Sequence, residues 1–117
     1  MIKILTLMKN IMDEMNLPYT FDKWDADLVL PHWIGEISEI QNMNEDGKSE
    51  YSFILTGFDV NYTNLFTVAN DFKKRFVTGS IIDGVVITYD NVLTIPTGDD
   101  NLKQVQINFT IKDWGVE

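Results

Sequence analysis

The chain of 117 residues has no cysteine, a single histidine, three prolines and few basic residues. Without cysteine there is no disulfide, no thiolate metal site and no cysteine nucleophile, and such usage fits folding in a reducing compartment. One histidine without cysteine leaves a zinc site short of donors. No stretch approaches the roughly 18 consecutive apolar residues of a membrane span. The N-terminal MIKILTLMKNIMDEMNLP has Lys3 and Lys9 inside its apolar run and Asp13 and Glu14 after it, so it lacks a signal-peptide core. A soluble, unexported protein is expected. Nine Lys and Arg stand against 18 Asp and Glu, for a net charge of −9. The densest basic cluster, Lys73-Lys74-Arg75, is too small for a phosphate-backbone footprint and suits the C-terminal end of a helix dipole. The glycines never form GxGxxG or a P-loop, which removes the usual nucleotide cradle and leaves no cofactor to expect.

What is present is enough for one core. The hydrophobic share is 44%, with seven Phe, four Tyr and three Trp, and a chain of this length buries about two thirds of its unfolded surface. One domain over 1–117 is expected. Ile4, Leu5, Met8, Ile11, Met12 and Met15 recur at spacings of three and four, predicting an amphipathic helix over 2–15 that Pro18 ends. From Tyr19 to His32 no period stands out, and a loop or short extended segment is expected. Residues 33–42 and 49–58, separated by a turn at Asp46-Gly47, read as a hairpin with Tyr51, Phe53 and Leu55 on its buried face. A second helix is predicted over about 64–77, capped by Asn61 or Thr63, with Leu65, Val68, Ala69, Phe72 and Phe76 as its apolar stripe. A turn at Asp83-Gly84 opens a second hairpin. There Val85, Ile87, Tyr89, Leu93 and Ile95 share one parity, and after IPTGDDN come Val105, Ile107, Phe109 and Ile111 on one side and Gln104, Gln106, Asn108, Thr110 and Lys112 on the other. The order α-β-β-α-β-β predicts an α+β fold: an antiparallel four-stranded sheet with two helices packed on one face.

Candidate chemistry is thin. Asp99 and Asp100 are paired carboxylates able in principle to hold a cation or exchange protons, yet only Thr97 and Asn101 add oxygen donors nearby, and Pro, Gly, Asp and Asn are what a tight turn needs. A hairpin tip is the expected role. His32 has no serine elbow in the sequence to serve as a general base. Glu36, Glu39, Glu45, Asp46 and Glu50 make the first hairpin acidic, as a solvated face or a surface for a basic partner. Trp24, Trp33 and Trp114 suit either core or interface. The stripe Gln104-Gln106-Asn108-Thr110 is polar but uncharged, so it fits a subunit contact as well as it fits water, since interface cores are depleted in charge. No catalytic constellation is assembled, and no enzymatic activity is expected.

The segments LPHWIGEISE (30–39), NEDG (44–47), SFILTGF (52–58), the amphipathic helix after them and the closing IPTGDDNLKQVQINFTIKDW resemble a family of tail terminator, or tail-completion, proteins of long-tailed phages and prophages of Gram-positive bacteria. The likeness covers about residues 30–114; the N-terminal helix matches in kind only. It implies an α+β subunit of a hexameric ring that caps the major tail-tube protein, stops its polymerisation and joins the tail to a neck or connector protein. It further implies location at the head-proximal end of the tail after assembly in the host cytoplasm, no membrane partner, and DNA passing through the ring without specific binding. An acidic lumen would repel that DNA. Loops 43–48 and 96–101 are expected to reach the tube or the next subunit, which makes Glu45, Asp46, Lys48, Asp99, Asp100, Gln104, Gln106 and Asn108 the expected contact residues. Two other readings stay open: a neck or head-completion adaptor, and an acidic DNA mimic that inhibits a host protein.

Overall fold

The two apolar stripes of helical period fold as helices, and the alternating segments fold as strands. The computed structural model describes residues 2–22, 29–41, 49–76, 80–82 and 84–114. In chain order these form α1 (Ile2–Glu14), β1 (Tyr19–Phe21), β2 (His32–Gln41), β3 (Ser49–Asp59), α2 (Tyr62–Phe76), β4 (Ser80–Ile82), β5 (Val85–Ile95) and β6 (Lys103–Asp113). The strands make one six-stranded sheet in the order β1-β2-β3-β6-β5-β4. At its centre β3 and β6 run antiparallel, in register from Ser49 opposite Asp113 to Asp59 opposite Lys103. That pair joins two halves of similar make-up, each a helix, a short edge strand and a long hairpin.

Alternation decides which side of the sheet is dry. Tyr51, Phe53 and Leu55 of β3 and Val105, Ile107, Phe109 and Ile111 of β6 point to the same face and are buried, as are Trp33 of β2 and Val85 and Ile87 of β5. Ile4, Met8, Ile11 and Met12 of α1 and Leu65, Ala69, Phe72 and Phe76 of α2 join them in one cluster. Phe109 is its hub. Its ring meets Phe72 edge-on at 5.3 Å and lies 6.1 Å from both Phe76 and Tyr89 and 6.3 Å from Phe53. Edge-to-face packing of this kind adds to the burial of each ring. Two glycines make room for aromatic rings on the same face. A Cβ at Gly35 would lie 2.5 Å from the Tyr19 hydroxyl oxygen and 2.7 Å from Phe53 Cζ, and one at Gly57 would overlap the Trp33 indole. Burial pushes the Tyr19 phenol up to about 12.

The ends of the helices are tied locally. Asn61 Oδ1 accepts from the Asn64 amide at 3.5 Å, so Asn61 takes the capping position, while Thr63 lies within the first turn. Arg75 of the basic run reaches Glu14 at 2.8 Å and links the two helix C-termini. Lys3 meets Asp113 at 3.4 Å, joining α1 to the end of β6. These pairs are partly exposed, and each contributes little beyond orientation.

The expected α+β class holds, with both helices feeding one core, but the sheet is larger than four strands and is mixed. Tyr19–Phe21 forms β1, which runs parallel to β2, and Ser80–Ile82 forms β4, antiparallel to β5. Each edge strand spans three residues, too short for a periodic signal, and each is held by its neighbour's backbone. Asp22 N donates to Gly35 O and Trp33 N to Pro18 O, both at 2.8 Å. The second correction concerns parity in β5. The register shifts between Tyr89, opposite Phe109, and Asn91, opposite Asn108. Asp90 is therefore an extra residue, and a bulge of this kind reverses the faces beyond it. Val92 packs on the core while Leu93 and Ile95 turn outward. Trp33 is a core residue and Trp114 is 41% exposed; Trp24 and the turn at Asp46-Gly47 lie outside the described residues.

Two substitutions test this packing by chemical denaturation. Phe109→Ala should lower stability by about 3–5 kcal/mol, because the cavity opens beneath several rings that cannot all collapse into it. Gly57→Ala, a gain of one methyl, should cost about 1–3 kcal/mol by overpacking against Trp33; a neutral result would show that the indole can move away.

Candidate functional site

With both helices on one side, the other side of the sheet is left without a layer among the described residues. Gln104, Gln106, Asn108 and Thr110 of β6 all point that way and are half-buried. Their register partners on β3 are Phe58, Thr56, Ile54 and Ser52, and on β5, past the bulge, Ile95, Leu93 and Asn91. Ile34 of β2, opposite Thr56, lies on the same side and is buried. The result is an amide strip between apolar flanks.

The amides are ordered by one another. Gln106 Nε2 donates to Asn108 Oδ1 at 3.0 Å, and Asn108 Nδ2 donates to Asn91 Oδ1 at 2.7 Å. Thr110 Oγ1 donates to the Asp90 carboxylate at 2.6 Å, so the bulge residue is anchored across the strand. Such a ladder holds each amide in a set orientation and leaves outward lone pairs and N–H groups for a partner. Charges stand at the margins: Glu36 on β2, Asp90 at the bulge, and Glu50 opposite Lys112 at one end. In a chain of net charge −9, that makes the middle of this face the place where another acidic surface can approach at least electrostatic cost.

The hairpin tip between β5 and β6 is built for its own backbone. Thr97 Oγ1 accepts from the Asp99 amide at 3.1 Å and donates to Leu102 O at 2.7 Å. Asp99 Oδ1 accepts from the Asn101 amide at 2.9 Å, and Gly98 has φ 78°, a conformation that favours glycine. The Asp99 carboxylate is thus engaged in the turn, and Asp100 is exposed beside it. Among the described residues no three of His, Asp and Glu converge as a metal site would require.

Of the expected contact residues, the structure brings Gln104, Gln106 and Asn108 onto one face and leads to it directly from the turn holding Asp99 and Asp100. Glu45, Asp46 and Lys48 lie outside the described residues. Leu93 and Ile95 belong to this face and are missed by simple alternation, which does place Ile54 and Phe58 here. The polar pair Asp90-Asn91 in the middle of a strand is the one signal that could have exposed the bulge.

At the β1 margin His32 is 6% exposed, with Nε2 2.9 Å from Thr20 Oγ1. Desolvation lowers its pKa from the ordinary 6.5. The folded chain therefore keeps the ring neutral at a pH where the unfolded chain protonates it. His32's contribution to stability is complete above 6.5 and is lost as the pH falls below that value and through the lower folded one. No described helix is long and apolar enough to cross a membrane. No protein-family model matches the chain, and neither the curated proteins nor the solved structures contain a match.

Denaturation at pH 7.5 and 5.5 tests the histidine. The chain should lose more stability over that interval than His32→Gln, whose side chain does not titrate. Equal losses would show that the ring accepts its proton without penalty in the folded state.

Proposed function

We propose that the chain is a structural assembly protein, a phage tail terminator whose copies form a ring on the end of the tail tube and join it to the head connector. The observation that carries this reading is the nearly uncharged face centred on Gln106 and Asn108, over which no described helix lies. A stable monomer of net charge −9 has no physical need to keep the middle of one sheet face free of charge, whereas a subunit that packs against copies of itself does. The resemblance over residues 30–114 supplies the tail-tube and connector partners. The hairpin tip at 96–102, rigid through its own hydrogen bonds, is suited to project toward one of them.

Acid excess fits the same reading. Closing the ring multiplies the charge around a central passage, and like charge keeps DNA moving through instead of binding to the wall. Charge excluded from the subunit contact must lie on the remaining surfaces, of which the lumen is one.

Light scattering together with electron microscopy of the protein mixed with tail tubes tests the proposal. Rings at tube ends are expected. Asn108→Lys, which puts a charge in the middle of the neutral face, should leave stability within about 1 kcal/mol and abolish capping. A chain that stays monomeric beside tubes and titrates a basic nucleic-acid-binding protein of the host would overturn the proposal in favour of a DNA mimic.

A further inference from the structure

The sheet ends in two strands that, among the described residues, have no partner on their outer side: β1 and β4. In β1 the Pro18 carbonyl and the Asp22 amide bond to β2. Backbone groups alternate along a strand, so those of Tyr19 and Phe21 point to the open side. Edge strands of monomeric proteins are commonly kept short, as both are here, or guarded by charged residues within them. Here neither strand holds one: β1 is Tyr-Thr-Phe and β4 is Ser-Ile-Ile.

Both edges also carry exposed apolar side chains. Beside β1 an open groove of about 450 Å³ runs along α1, lined by Leu5, Thr6, Lys9, Tyr19, Thr20 and Phe21. Phe21 is 38% exposed in it. On β4, Ile81 is 76% exposed on the side opposite the helices, and Ile82 lies opposite Val85 on the helix side. A β4 strand laid along β1 would place Ile82 over the groove and Ile81 beside Thr20, with the faces of the two sheets continuous.

We infer that β4 of one copy pairs with β1 of the next, so that the chain's partner at its sheet edge is a second copy of itself, joined head to tail. This rests on the self-assembly reading above and adds to the neutral face a second contact between copies, at the sheet edge. The two edges stand at opposite ends of the sheet and do not pair with each other within one molecule. The contact is heterologous, and heterologous contacts propagate until they close as a ring or run on as a filament. Three residues on each side supply few hydrogen bonds, so one junction is weak and the closed ring, in which every copy is held twice, is favoured over open pairs. Absence of charge in both strands lets two chains of net charge −9 meet there.

Because the chain has no cysteine, introduced thiols report on this contact alone. Thr20 and Ile81 are the central residues of their strands and share a face, so they are neighbours whichever way the strands run. The double variant Thr20→Cys/Ile81→Cys, in the full chain with tail tubes present, should give a covalent ladder of dimers, trimers and larger species on oxidation or with a short bis-maleimide. An equimolar mixture of the two single variants should stop at dimers, and each single variant alone should stay monomeric on a denaturing gel. Dimers from Thr20→Cys alone would overturn head-to-tail pairing in favour of edge-to-same-edge contact. Rings on tubes without any ladder would overturn the edge contact while leaving the proposed function standing, and absence of both rings and ladder would remove both.

Discussion

The pairing of β3 with β6 is the constraint on which the other elements depend. It runs the whole length of both strands and joins segments from the two halves of the chain. Closing so long a loop costs conformational entropy, and the return comes from the buried face that the pair creates. Phe53 and Phe109 lie opposite each other in that register, with Tyr51 opposite Ile111 and Leu55 opposite Ile107. A slip of one residue would turn every one of these to water and bring Gln106 and Asn108 into the core. Register, core and outer face are therefore one decision.

Ring packing follows from that register. Phe109 stands at the centre of the pair and meets Phe72 and Phe76 from α2, which sets how the second helix lies on the sheet. On the β2 side the glycines at 35 and 57 take the place of side chains where Tyr19 and Trp33 lie across the strands. Gly57 is the register partner of Trp33, so the largest ring in the core spans a site where its own neighbour has no side chain. Removal of bulk at one strand position is what admits bulk from the next.

The same alternation produces the candidate surface. Because the odd-numbered residues of β3 and β6 are committed to the core, the even-numbered ones share a face, and their amides bond to each other across β5 and β6. The uncharged stripe from Gln104 to Thr110 was legible in the primary structure, as was its suitability for a contact. The apolar flank of Leu93 and Ile95 was not, because one extra residue at Asp90 reverses the alternation, and its only local mark is the polar pair Asp90-Asn91. The turn at 96–102 was legible for a simple reason: its Thr, Gly, Asp and Asn bond to their own backbone, so its conformation is local.

Taken alone, the amino-acid sequence determined what depends on near neighbours. Both helices, the four long strands, the self-bonded turn, the buried faces of β3 and β6 and the absence of thiols follow from periodicity, turn residues and composition. Tertiary structure decided what depends on partners distant along the chain. Tyr19–Phe21 and Ser80–Ile82 are strands because β2 and β5 offer them backbone groups, and β1 is parallel because of where β2 stands. Residues 93 and 95 face outward because β6 skips one position. Which backbone groups are already engaged, and hence which strands end the sheet among the described residues, is settled by the pairing of the whole sheet, since a three-residue strand carries no period of its own.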